Sequence, residues 1–250
     1  MQGSYPQDLG RPGIVPLSIV MPAYNEEDSI RAAVADIEQH VLNLVQDSEL
    51  VVVDDGSRDS TADILDALSE DNGQVKVIHQ VNGGHGAALM TGLSDTHGEF
   101  VLLLDSDRQI PLEEFPLFWN AVQKNGYDCV FGVRRCRHDP VIRLWLTKVV
   151  RSALGVLFGV SIYDANVPYK LLRRTVWDEA KELIPPGTLV PSLFLAIFAK
   201  KKGFKVQEID VPHKERETGE VSIRRFKLLK FCIKAFLQML RFRKNLENGV

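Results

Sequence analysis

The chain has 250 residues, and its 30 basic and 33 acidic side chains leave a formal charge of −3. Hydrophobic residues at 45% and charged residues at 25% are ordinary globular proportions, which excludes a disordered chain and a membrane channel and leaves room for one large domain or two small ones. The near-neutral total hides a split: residues 1–120 carry 21 acidic and 5 basic side chains, a balance of −16, while residues 121–250 carry 12 and 25, a balance of +13. Such asymmetry marks a face for a membrane or a polyanion.

In chain order, residues 1–16 are rich in Gly and Pro and read as a loose tail with no secretory signal pattern. Strand-like runs then alternate with helix-like ones. Leu17–Met21, Leu50–Val53, Val75–His79, Phe100–Leu104 and Cys129–Val133 are apolar and β-rich; Ile30–Val45, Thr61–Leu68, Ala87–Leu93 and Glu113–Gln123 have helical character between them. This alternation predicts βαβ units, and the continuous apolar strands predict a mainly parallel sheet covered on both faces. Beyond Arg135 the expected elements are a helix over Val141–Val160, a strand over Val167–Leu172, a helix over Pro191–Ala199, a strand over Lys205–Val211 and a long helix over Arg224–Lys244. Cys129, Cys136 and Cys232 form no CxxC pair, so neither a disulfide framework nor a zinc site is expected, and a reducing cytoplasm fits best. The longest uncharged run, Leu183–Ala199, has 17 residues and three prolines, whereas a spanning helix needs about 20 mainly apolar residues.

Ligands of such sheets bind at the carboxyl ends of the strands, and the polar residues of this chain gather there. Asp105-Ser106-Asp107 follows a buried strand. Alone, the two acids read as solvated loop carboxylates or as an N-cap for the helix after Pro111. At a strand's carboxyl end they read as hard oxygen ligands for Mg²⁺ or Mn²⁺, with Gln109 adding an amide oxygen. Asp54-Asp55-Gly56-Ser57 ends another strand; its acids can accept hydrogen bonds from a base or ribose, or cap a turn. Tyr24 offers a flat face for a base, or ordinary packing. Asn82-Gly83-Gly84-His85-Gly86 is neither a Walker loop nor a Rossmann fingerprint; it suits close backbone approach to a ligand or a plain turn.

Together, Val20–Glu27, Val53–Ser57, Asn82–Gly92 and Asp105–Gln109 resemble the motifs of family-2 glycosyltransferases, in order and spacing, over roughly Leu17 to Arg225. Within that family the pattern most resembles dolichyl-phosphate mannosyltransferases and polyprenyl-phosphate glycosyltransferases. The resemblance implies an α/β, Rossmann-like GT-A fold over 17–223, followed by a basic amphipathic helix and tail over 224–250. It implies Pro22, Tyr24, Glu26, Asp54, Asp55, Asp105 and Ser106 for the donor nucleotide (GDP-mannose or UDP-hexose type). It also implies Asp105, Asp107 and Gln109 for a divalent cation, Mg²⁺ or Mn²⁺. Two segments depart from the family pattern. Asp164-Ala165-Asn166-Val167-Pro168-Tyr169-Lys170 lacks the family's Ser-Gly pair, and Arg216–Ser222 carries one inserted residue, with Arg224 in the lysine's place.

The implied reaction is transfer with inversion, with Asp107, Asp164 and Arg216 as catalytic candidates and Arg151, Ser222 and Arg224 as acceptor-phosphate candidates. A hydroxyl acceptor needs a base, for which Asp164 is the position match; a lipid phosphate is already anionic. Asp164 reads equally as a structural acid paired with Arg151 or Lys170. In the C-terminal helix, Lys227, Lys230, Lys234 and Arg241 share one face among ten apolar neighbours. That helix fits packing on the domain, packing on a partner, or lying in a membrane interface. The expected function is sugar transfer from a nucleotide sugar to a polyprenyl phosphate, peripherally on the cytoplasmic face of a membrane. The alternatives are a soluble family-2 enzyme acting on a sugar hydroxyl and a non-enzymatic binding module. No nucleic-acid partner is expected, because the basic residues lie in apolar helices.

Overall fold

The computed structural model describes residues 16–134, 141–165, 167–212 and 225–249, with backbone alone over 141–149 and 225–229. Among these residues, seven strands form one sheet in the order β3-β2-β1-β4-β6-β5-β7. They are β1 (Leu17–Ala23), β2 (Glu49–Asp54), β3 (Val75–His79), β4 (Phe100–Leu103), β5 (Cys129–Val133), β6 (Lys170–Arg173) and β7 (Val206–Asp210). All pairings are parallel except those of β6, which runs antiparallel to β4 and β5. Strand β1 is buried along its whole length, as expected for the centre of a sheet covered on both faces.

The helices are α1 (Ile30–Ile37), α2 (Thr61–Asp71), α3 (His85–Ser94), α4 (Phe115–Gln123), α5 (Val141–Phe158), α6 (Arg174–Ala180), α7 (Pro191–Lys202) and α8 (Arg225–Asn248). The period-two alternation of the strands divides the core between two faces. Leu17, Ile19 and Met21 of β1 pack with Val34 of α1 and Phe118 of α4. Val20 of the same strand belongs to the second cluster, with Leu89 of α3, Phe194 of α7 and Phe242 of α8.

Several expected boundaries shift. The first helix winds as α only to Ile37 and finishes as a wider turn over Glu38–Leu42. The strand expected at Val167 begins at Lys170. Val167 and Tyr169 are fully buried and apolar because the loop before β6 packs inward, not because they pair in the sheet. Helix α6, with Val176, Trp177 and Ala180 buried, lies in a stretch for which the sequence pattern predicts no element.

The topology positions the site. The chain reverses its sense of travel across the sheet at β1, and the crevice outside the carboxyl ends of strands there is where such sheets bind ligands. Because β6 is antiparallel and Lys170 pairs with Leu103, the loop preceding β6 reaches the same edge as the loop following β4.

Candidate active site

Beyond β1 and β2 the two loops are zipped together. Asn25, in the left-handed region at φ 53°, donates its N–H to Ser57 Oγ at 3.0 Å and accepts Arg58 N–H on Oδ1 at 2.8 Å. Glu26 donates its N–H to Thr61 Oγ1 at 2.8 Å and accepts Ser29 Oγ–H on its carboxylate at 2.7 Å. Pro22 is buried within β1 opposite Val53, and Tyr24 stands exposed at the strand end.

Asp54 and Asp55 are both buried, and protein donors occupy their carboxylates. Asp54 accepts Ser57 N–H on Oδ1 and faces His79 Nδ1 with Oδ2, each at 3.0 Å. Asp55 accepts Gln80 Nε2–H at 2.6 Å and Gly83 N–H at 2.8 Å on Oδ1, and Gly84 N–H at 2.8 Å on Oδ2. A nucleoside contact by either acid would compete with these donors. Asp55 thus shapes the glycine-rich turn, where Gly84 takes φ +86° immediately before α3.

That turn delivers His85, whose Nε2 lies 2.9 Å from Asp105 Oδ1. Partial desolvation draws the half-exposed imidazole down, but the hydrogen bond to Asp105 and the fields of Asp105, Asp55 and Asp107 outweigh it and leave the ring raised above its ordinary value. Asp105 and Asp107 are partly exposed, Ser106 between them is buried, and Asp107 Oδ1 accepts Gln109 N–H at 3.2 Å. Arg108 pairs with Asp36, Nε to Oδ2 at 2.6 Å. Among the described residues no three His, Cys, Asp or Glu side chains converge on a cation. Two accessible carboxylates fit an ion that takes its other oxygens from water and substrate phosphates, which is the usual way Mg²⁺ is held.

At the β5 and β6 side of the edge, Asp164 is buried and paired with neither expected cation. Arg134, the first residue after β5, holds it through Nε–Oδ2 at 2.8 Å and Nη2–Oδ1 at 3.1 Å. Arg151 instead lies 5.0 Å from the ring centroid of Tyr163. Lys170, fully buried, donates to the carbonyls of Ala165 and Val167. Burial pulls its ammonium down to about 8, against the opposing pull of Asp164 and Asp105. Arg216, Ser222 and Arg224 lie outside the described residues, as does Cys136.

A cavity of about 470 Å³ opens beside Asp105 and His85. Leu89, Leu103, Pro168, Leu189, Val190 and Leu193 give it mainly apolar walls, with Ser192 among them, and Phe231 of α8 also lines it. Helix α8 is anchored farther along. Gln238 accepts Leu189 N–H at 3.0 Å and donates to Gly187 O at 2.8 Å, while Phe242 meets Phe194 at 4.7 Å between ring centroids. Ile233, Phe236, Leu237 and Leu240 of the same helix are exposed, as are Lys230, Lys234 and Arg241. No described helix is long and apolar enough to cross a membrane.

Sequence reasoning missed His85, Arg134 and Phe231. His85 stands in a motif whose glycines draw the attention, Arg134 directly follows the apolar run Cys129–Val133, and Phe231 is one of ten apolar residues on the last helix.

A family model described as glycosyl transferase family 2 matches residues 18–190. An undecaprenyl-phosphate 4-deoxy-4-formamido-L-arabinose transferase of Pseudomonas fluorescens is 37% identical over 206 residues, 82% of this chain and 59% of that protein. A Pseudomonas aeruginosa protein of the same name is 35% identical over 228 residues, 90% of this chain and 63% of its own. The chain therefore spans about three fifths of the length of these curated relatives. Among solved structures, Mycobacterium tuberculosis glucosyl-3-phosphoglycerate synthase with UDP superposes at TM-score 0.67 and 21% identity, covering 92% of this chain and 80% of that one. The same synthase with Mn²⁺, UDP and glucosyl-3-phosphoglycerate gives TM-score 0.68 at 20% identity, covering 95% and 87%. These likenesses show the GT-A fold.

Proposed function

The chain belongs to glycosyl transferase family 2 and is a glycosyltransferase, and from that premise we propose that it moves a sugar, with inversion, from a nucleotide sugar to a polyprenyl phosphate at a membrane surface. The observation that carries the acceptor reading is the cavity beside Asp105. Its apolar walls would leave the hydroxyls of a glycan without partners, at a cost for each buried polar group, whereas they suit an isoprenoid chain next to its phosphate. Phe231, which lines the cavity, sits on the helix that exposes Ile233, Phe236, Leu237 and Leu240 beside three exposed cations, a face suited to anionic lipid. The relatives named as undecaprenyl-phosphate transferases support the same acceptor class.

Asp105 and Asp107 would hold the divalent cation. When bound, the cation supplies charge to offset the departing diphosphate. Through that cation Asp105 and Asp107 would orient the donor diphosphate, and the loop after β1, which bears Tyr24 and Glu26 and is zipped to the loop after β2, would flank the nucleoside end. A phosphate oxygen of the acceptor attacks the anomeric carbon without losing a proton, so no general base is needed. Asp164, committed to Arg134, then serves to hold that guanidinium at the sheet edge rather than to take a proton. Arg216, Ser222 and Arg224 remain assigned to the acceptor and leaving phosphates.

The test is transfer from radiolabelled nucleotide sugars to short-chain polyprenyl phosphates. The expected product partitions into organic solvent, and Asp107→Ala or chelation abolishes its formation. Transfer only to water-soluble glycan hydroxyls would overturn the acceptor assignment. Transfer that persists in excess chelator would overturn the cation assignment.

A further inference from the structure

We infer that His85 is a positioning residue of the transfer reaction: it fixes Asp105 so that the carboxylate presents, together with Asp107, to the divalent cation. The inference rests on the cation reading of Asp105 and Asp107 proposed above.

The mount of His85 is rigid on both sides. Before it, the buried Asp55 carboxylate takes the N–H groups of both Gly83 and Gly84 at 2.8 Å. After it, Gly86 lies so close to the neighbouring segment that an added Cβ would stand 2.1 Å from the Thr188 carbonyl oxygen. The backbone of His85 is thereby fixed at the carboxyl edge of the sheet, and its ring reaches across to Asp105 Oδ1 at 2.9 Å.

Folding does not account for this arrangement. The His85 side chain is 54% exposed and that of Asp105 33%, so their contact adds little to stability. What the contact does is remove rotational freedom from a carboxylate at the edge of the cavity. A ligating carboxylate is commonly held by an outer hydrogen-bond partner, and loss of such a partner weakens metal affinity by about 10–100-fold. A continuous path of bonds, Asp55 to Gly84 to His85 to Asp105, also ties the turn after β2 to the acids after β4.

The experiment titrates wild type, His85→Ala, His85→Gln and Asp107→Ala with Mn²⁺, alone and with UDP or GDP, following free Mn²⁺ by electron paramagnetic resonance. Thermal melts run in parallel. His85→Ala is expected to raise the Mn²⁺ dissociation constant by about 10-fold or more with an unchanged melting temperature. His85→Gln, whose amide can still donate to Asp105, is expected to recover most of that loss. Unchanged or tighter Mn²⁺ binding in His85→Ala, with Asp107→Ala still impaired, overturns the role of His85 and leaves the cation site standing. Mn²⁺ binding that Asp107→Ala leaves intact overturns the cation site itself.

Discussion

Arg134 grips Asp164 through two guanidinium nitrogens, with the two side chains only 10% and 2% exposed. The pair joins the end of β5 to the loop before β6, and both lie at the edge where substrates enter. Removing one partner strands the other charge in a poorly solvated place, which costs about 3–5 kcal/mol in buried pairs. Asp164→Ala is therefore expected to lower the denaturation midpoint strongly, as measured by urea unfolding. A variant of full stability with abolished transfer would instead restore Asp164 as a base.

His79 makes a pH-dependent contribution to stability. Its ring is hydrogen-bonded to Asp54 and to Asp66, each at 3.0 Å, and these bonds raise its pKa above the ordinary imidazole value despite partial burial. A raised folded-state value means that the stabilisation is complete below the unfolded value and is lost as pH rises through the folded one. The stability difference between wild type and His79→Gln should thus be larger near pH 6 than near pH 8. Equal differences at both pH values would show that His79 is neutral in the fold.

The exposed face of α8 should bind lipid without supporting the fold. Phe236 and Leu237 are 44% and 59% exposed, so replacing both with Glu should change stability by no more than about 0.5 kcal/mol per site. The same change should abolish co-sedimentation with anionic vesicles, and added salt should weaken the wild-type interaction through Lys230, Lys234 and Arg241. Vesicle binding that survives the double change would place the membrane contact elsewhere.

Much of the architecture was legible because burial on both faces writes itself into a strand. Leu50–Val53 and Phe100–Leu104 are continuous apolar runs of four and five residues, too short for a buried helix and of the length that a strand covered on both faces takes. Helix α6 was less legible: seven residues, three of them charged, give a periodic pattern too short to read. The burial of Val167 and Tyr169 imitates a strand, since composition reports burial and not hydrogen-bond pairing.

By itself, then, the sequence determined which residue types stand at which strand ends: acids after β2 and β4, a glycine-rich turn before α3, cations in the second half. Those follow from local periodicity and spacing. Only the tertiary structure decided their partners. His85 meets Asp105 across 20 residues of chain, Arg134 meets Asp164 across 30, and Phe231 lines the same cavity as Leu103 and Asp105. Hydrogen bonds and ion pairs depend on distances of a few ångström between side chains. The fold sets such distances when it brings remote loops to one edge, and no spacing along the chain encodes them.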